Sequence, residues 1–364
     1  MKIKDITQHL ESLAPLSSQE SYDNSGLLVG NQETEVTGVL ISLDCTEKIV
    51  EEAKEKGCNL IISHHPIIFG GLKKLTGQTY VERVVEKSIR YGIALYAIHT
   101  NLDNYQYGVN FKIGQRLGLS QMKVLAPAQN TLNKLVVYAP ISHKELVLNA
   151  LFCAGAGKIG NYDECSFSSV GNGTFRPLLN AHPTIGELNE LTQLDEARIE
   201  VLVSKHRIQT VLTALFEAHP YEEVAYDLLP LLNKNQFEGA GMIGDLPEEM
   251  DTVDFLNKLK LNFSCGIIRH SELVKKRIKK VAFCGGSGFF LLKNAIQSGA
   301  DIFITGDVKY HEFFDADGSI ILADIGHYES EQFTSDLIAD QLKEKFTTFA
   351  VHLTENNTNP INYL

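Results

Sequence analysis

The 364-residue chain has no cysteine pair of the CxxC kind: Cys45, Cys58, Cys153, Cys165, Cys265 and Cys284 are scattered. That spacing excludes a structural zinc ribbon and a dithiol redox centre. It fits a reducing compartment, where cysteine serves as a small hydrophobe. No apolar run approaches the length of a membrane span. The opening MKIKDITQHLESLAP is amphipathic and lacks the apolar core of a secretory signal. The expected location is therefore the cytoplasm, with no membrane partner. Positive charge is also scarce: 33 Lys and Arg stand against 45 Asp and Glu, a formal net charge of −12. Such a balance argues against direct DNA binding, which needs clustered cations. The basic run KKRIKK (275–280) reads as a solvated approach to the strand VAFCGG rather than a nucleic-acid patch.

What the chain has in quantity is apolar residues, 44% of the total, in a length that calls for more than one domain. Strand and helix patterns alternate through the first third. VTGVLISLD reads as a strand, TEKIVEEAKEKG as a helix with a glycine stop, and NLIISHHP as a buried strand. YVERVVEKSIRYG and IALYAIHTNLD then read as helix and strand. The last third repeats the order with KKVAFCGGSG, FFLLKNAIQSGA, DIFITGD and SIILADIGHYESE. GCNLIISHHP and GADIFITGDV align as equivalent turn-and-strand units. The middle third breaks away into a βαββαβ, ferredoxin-like order, flanked by the linker-like APAQNT and LLNKNQFEGAG. The expected fold class is α/β: two similar α/β lobes forming one core, with a ferredoxin-like domain inserted. The boundaries are 1–127, 128–235 and 236–364.

Three strand ends carry the chemistry. NLIISHHPIIF ends in adjacent His64 and His65. IALYAIHTNLD ends in His99 and, four residues on, Asp103. SIILADIGHYESE ends in His327 and, four residues on, Glu331. Imidazoles and carboxylates gathered at the carboxyl ends of buried strands are what a divalent-metal site needs. Adjacent residues on a strand point to opposite faces, so His64 and His65 suit two neighbouring ions better than one. A helical turn after Gly326 puts His327 and Glu331 on one face, where a glutamate can bridge two ions. Asp103 is the expected ligand of its pair, and His99 either binds metal or orients a ligand. Two such ions generate hydroxide from water and polarise the bond under attack. Zinc, manganese, iron and nickel all suit nitrogen and oxygen donors.

Other motifs are less specific. CGGSG before a helix is either an anion cradle or a tight turn. The cluster in DVKYHEFFDA, with Lys309 and His311, is either a source of general acid or base or an exposed helix start. His99, Lys309 and His311 are the candidates for proton transfer. HPYEEV (219–224) reads as a structural turn.

YDNSGLLVG, ISHHPIIF, IHTNLDN, GGSG, ITGDVKYHE and DIGHYESE, in this order, resemble the Nif-three-like dinuclear-metal proteins, also named GTP cyclohydrolase I type two homologs. The resemblance covers essentially the whole chain. GNGTFRP and AHPYEEVAYDL resemble the longer bacterial members, whose extra domain is of the PII and CutA type. Residue by residue, the resemblance implies that His64, His65, Asp103, His327 and Glu331 hold two divalent ions per subunit, with zinc first and manganese, iron or nickel as alternatives. It implies a toroidal homohexamer whose sites face an interior cavity. It also implies a metal-dependent hydrolase, with metal hydroxide attacking a purine or other nucleotide-like substrate. The alternative is a non-catalytic regulatory hexamer whose insert senses a small molecule. Tyr22 departs from the family pattern, in which many members carry Trp.

Overall fold

The computed structural model describes residues 1–364. It is a mixed α/β protein that divides into two compact units, one of 1–127 with 237–364 and one of 128–236.

The larger unit holds two sheets. In the first, Gly38–Ser42, Leu60–Ser63 and Ala94–Ala97 run parallel. Gly26–Val29 pairs antiparallel outside Ala94–Ala97, and Ala350–Leu353 pairs parallel outside Gly38–Ser42. In the second, Arg277–Phe283, Ile302–Thr305 and Ile321–Asp324 run parallel. Arg269–His270 closes one edge, and Asn235–Asp251 followed by Ser120–Ala128 closes the other. The segments NLIISHHP and DIFITGD each supply the middle parallel strand of their sheet.

These strands are apolar on both faces because both faces are covered. Period-two alternation sorts the residues. Val39, Ile41, Leu60, Ile62, Ala94 and Tyr96 of the first sheet share one cluster with Val281, Phe283, Ile302, Ile304, Ile321 and Ala323 of the second. Leu40, Ile61 and Leu95 point the other way, onto Ile49, Val50, Ala53 and Val84 of the helices Glu47–Glu55 and Tyr80–Tyr91. Ala282, Phe303 and Leu322 likewise meet Leu292 and Ala295 of the helix Leu292–Gln297. Each such buried aliphatic side chain contributes about 1.5–3 kcal/mol over leaving it in water. The 80–91 helix starts on Thr79, whose hydroxyl accepts from Glu82 N–H, and stops at Gly92, left-handed at φ 68°.

Two strands depart from the expected order. Ser120–Ala128, from the first third, lies in the second sheet, and Ala350–Leu353, from the end, lies in the first. Part of the segment expected as a linker, LLNKNQFEGAG, is instead the start of the 235–251 strand. That strand tolerates Pro247 because its register against 277–283 shifts between Asp245 and Met250.

The smaller unit runs Leu132–Pro140, helix Lys144–Cys153, Ser166–Phe175, Thr192–Ser204, helix Ile208–Ala218 and Tyr226–Pro230. Its four-stranded antiparallel sheet places 166–175, 192–204, 132–140 and 226–230 side by side in that order. Its core is its own: Leu135, Val137, Ile199 and Val201 pack on Val147, Leu151, Val211 and Leu215. No helix of the chain is long and apolar enough to cross a membrane.

Candidate metal centre

The carboxyl ends of parallel strands from both sheets meet in a cavity of about 480 Å³. The first sheet brings Asp44, His65, His99 and Asp103 to its lining, and the second brings Cys284, Gly285, His327 and Glu331. The ladder of the first sheet continues past Ser63, since His64 N–H donates to Ser42 O and His65 N–H to Leu43 O. The two rings are thereby fixed just beyond the strand, with centroids 4.9 Å apart.

Four imidazoles are each held by one ring nitrogen. His64 Nδ1 lies 2.8 Å from Ile98 O; a carbonyl only accepts, so Nδ1 carries the proton and Nε2 presents a lone pair. His65 Nδ1 meets Asp44 Oδ1 at 2.8 Å, His99 Nδ1 meets Asp23 Oδ1 at 2.8 Å, and His327 Nδ1 meets Asp307 Oδ2 at 2.7 Å. Metal-binding histidines are commonly oriented in this way, by a carboxylate or carbonyl on the far nitrogen. The other nitrogens of His64, His65 and His327 converge on Glu331, which is 3% exposed. Its Oε2 lies 3.0 Å from His65 Nε2 and 3.1 Å from His327 Nε2, and its Oε1 lies 3.9 Å from His64 Nε2. Asp103 Oδ1 stands 3.6 Å from His64 Nε2.

Without a cation this arrangement is electrostatically unsettled. Burial pushes His64 down to about 4. Burial also opposes charge on His65, but Asp44 and Glu331 outweigh it and raise the ring to about 10. Burial of His327 is likewise outweighed, by Glu331 and Asp307, to about 11. Burial, followed by the charge of Glu331, lifts Asp103 well above the usual carboxylate range. Burial opposes ionisation of Glu331 too, yet His327 and the other imidazoles hold it well below that range. His64 Nε2 and Asp103 Oδ1 are both buried with no hydrogen-bond partner. Orphaned buried acceptors are costly, and a shared cation is what satisfies a lone pair and a carboxylate together.

The donor atoms group accordingly. His64, Asp103 and Glu331 form one set, His65, His327 and Glu331 a second, and His64, His65 and His99 a third; within each set they lie within 4.8 Å of one another. The donors are nitrogen and oxygen only, the chemistry of a borderline or hard divalent ion.

The structure thus brings His64, His65, His99, Asp103, His327 and Glu331 together. Lys309 and His311 are exposed and do not line the cavity. The reason is local. Asp307 takes a left-handed φ of 57°, so its carboxylate reaches His327 while Val308 turns into the core. Lys309 then caps the turn Tyr310–Ala316 from outside, its amino group 3.8 Å from Glu312. Sequence reasoning assigned no role to Asp23 or Asp44, and none to Asp307 as the partner of His327. Their signal was a carboxylate at or just past the end of an apolar run, or, for Asp23, the DNSG turn.

The glycine loop is a tight turn. Gly285, Gly286 and Gly288 donate their N–H groups to Asn110 Oδ1, Ser330 Oγ and Thr305 Oγ1, leaving these amides no role in holding an anion. Gly286, at φ 61°, is required because a Cβ there would sit 2.3 Å from Glu331 Oε1. The basic run is locally paired: Lys275 with Asp301, Arg277 with Glu249, and Lys279 with the Pro247 carbonyl. His219 is a buried structural residue, with Nε2 on Tyr138 O and Nδ1 accepting from Tyr221 N–H.

Comparison with known proteins agrees over the full length. A GTP cyclohydrolase 1 type 2 homolog of Halalkalibacterium halodurans is 38% identical over 365 residues, 99% of this chain and 98% of that protein. A protein of the same name from Staphylococcus aureus is 35% identical, with 100% of each chain covered. The crystal structure of a Bacillus cereus protein related to NIF3 superposes with a TM-score of 0.87 at 36% identity, covering 100% of this chain and 99% of that one. The Duf34/NIF3 (NGG1p interacting factor 3) profile matches residues 1–360, and the chain belongs to that family.

Proposed function

We propose that this chain is a dinuclear divalent-metal protein acting as a hydrolase on a nucleotide-like substrate. His64, Asp103 and Glu331 hold one ion, and His65, His327 and Glu331 hold the other. The observation that carries the reading is the double membership of Glu331, whose two oxygens face different imidazoles. Zinc is the proposed metal, with manganese, iron or nickel as alternatives, since all accept this donor set. Held by these residues, divalent metal would supply Lewis acidity and acidify water.

The chain's own residues do the rest. Asp44 and Asp307 fix the rings of His65 and His327. Asp23 fixes His99 and leaves its Nε2 as the atom to take or give a proton at a substrate. Tyr22, Phe69 and Phe290 line the cavity and offer faces to a planar base. The name borne by the relatives supports a purine nucleotide as the first substrate to try.

The proposed domains are 1–127 and 236–364, two similar lobes of one core, and 128–235, a ferredoxin-like insert of the PII and CutA type. The βαββαβ element order and antiparallel strand order of the insert support that assignment. The proposed assembly is a toroidal homohexamer in the cytoplasm, testable by solution mass. A second reading, a non-catalytic regulatory metal protein, draws on one observation: Lys309 and His311 lie outside the cavity, which leaves it His99 alone of the proposed proton-transfer residues. One experiment separates the two. Metal-loaded protein is incubated with a nucleotide panel and products are read by mass, with His99→Ala in parallel. Turnover lost in His99→Ala with both ions retained supports the hydrolase. Absence of turnover at full metal content supports the regulatory reading.

A further inference from the structure

The last residues of the chain have neither helix nor strand after Leu353, yet they are tied down along their length. Glu52, buried on the 47–55 helix, accepts from Thr354 Oγ1, Glu355 N–H and Asn356 Nδ2. Thr358 Oγ1 donates to Asp44 Oδ2 at 2.7 Å. Asn359 Nδ2 donates to Glu329 Oε1 at 3.3 Å, two residues before Glu331. Asx turns stiffen the path, since Asn357 Oδ1 accepts from Asn359 N–H and Asn359 Oδ1 from Ile361 N–H. Asn359, Pro360 and Ile361 then form part of the cavity lining.

The contact at Asp44 bears on the centre. One oxygen of that carboxylate holds His65 Nδ1 and the other is held by Thr358. A carboxylate gripped on both oxygens cannot rotate about its terminal torsion, which is otherwise broad and two-fold. His65 is therefore aimed by a relay that begins in the C-terminal segment.

We propose that the segment 354–361 is a working part of the metal centre: Thr358 is a positioning residue for His65 through Asp44, and Pro360 and Ile361 form an apolar wall against which substrate is held. The proposal rests on the dinuclear reading above, with His65 serving one ion position and His64 the other. Removing the Thr358 hydroxyl frees Asp44 and loosens one position selectively. Partners of metal-bound histidines are worth about 10–100-fold in affinity, so a group one bond further out is worth up to about tenfold.

The test uses the full-length chain and zinc or manganese alone, titrated against a chelator that resolves the two positions. Thr358→Val, which keeps the shape and loses the donor, is expected to weaken one position by about tenfold and leave the other unchanged. Thr358→Ser restores the donor and should restore affinity. A chain ending at Asn357 should show at least the same selective loss, with faster metal release as the wall is removed. Unchanged affinity at both positions in Thr358→Val overturns the proposal. An equal loss at both, with a lowered Tm, marks general loosening and also overturns it. Wild-type protein that fails to bind a second ion refutes the dinuclear reading instead, so the two failures are distinguishable.

Discussion

Loading this centre with divalent metal should expel protons, and the geometry bounds their number. A ligating imidazole must be neutral and a ligating carboxylate ionised. His65 Nε2 and His327 Nε2 face each other at 3.3 Å, and both lie beside Glu331 Oε2. With the rings raised to about 10 and about 11, this contact holds at least one proton at neutral pH. Asp103, lifted by burial and by Glu331, is biased toward holding another. His64, pushed down to about 4, has none to give. The expected release is at least roughly two protons per loaded chain at neutral pH. The sign follows from linkage: groups raised in the metal-free protein are protonated below those values, and metal competes with the protons. Affinity therefore climbs with pH, about tenfold per unit for each proton released, or roughly a hundredfold per unit for two. Calorimetric titration in buffers of different ionisation enthalpy counts the protons directly, and repeating it at about pH 6 and about pH 8 gives the slope. Asp44→Asn removes a carboxylate that raises His65 and should lower the count. Heats identical in all buffers, with an affinity flat in pH, would refute this account of the site's charge.

Other outcomes follow from single residues. Glu331→Gln keeps the shape and loses the charge shared by both donor sets; occupancy of both positions should fall by more than tenfold, about 1.4 kcal/mol each, by elemental analysis after dialysis. Gly286→Ala places a Cβ 2.3 Å from Glu331 Oε1 in a left-handed backbone, at a cost of about 1–2 kcal/mol, so both Tm and metal content should drop. Burial works against ionised Glu52, but Thr354, Lys56 and the tail amides outweigh it and depress its carboxyl to about 2. Its contribution is complete above the ordinary 4.5 and is lost as pH falls from there toward 2, so urea melts over that range should lose stability more slowly in Glu52→Gln.

The side chains that gather at the candidate centre were legible in the sequence because each sits where an apolar run breaks. SHHP, His-x-x-x-Asp and His-x-x-x-Glu are local patterns with a local reason. Asp44, Asp23 and Asp307 were not legible as orienting groups, because a carboxylate beyond a strand looks alike whether it faces solvent or an imidazole far along the chain. Asp44 and His65 are 21 residues apart, and Asp23 and His99 are 76 apart. Lys309 and His311 show the converse. They neighbour the aspartate that holds His327, but a left-handed backbone at Asp307 sends them outward, and positive φ is uncommon enough in a non-glycine residue that the sequence does not announce it. The strand Asn235–Asp251 was obscured by its own composition, since glycine, acids and Pro247 signal turns when pairing partners are unknown.

The exchange of strands between the two sheets has a consequence for biosynthesis. The outer neighbour of the strand Gly38–Ser42, Ala350–Leu353, follows every other strand along the chain. A ribosome-bound chain thus carries an open sheet edge until every other strand has been made, while 128–236 can already close around its own core. His327 and Glu331 also emerge roughly two hundred residues or more after His64 and His65, which until then have only His99 and Asp103 of the other donors beside them. The two donor sets that include Glu331 are therefore completed only after the second sheet has been made, whereas His64, His65 and His99 are in place much earlier.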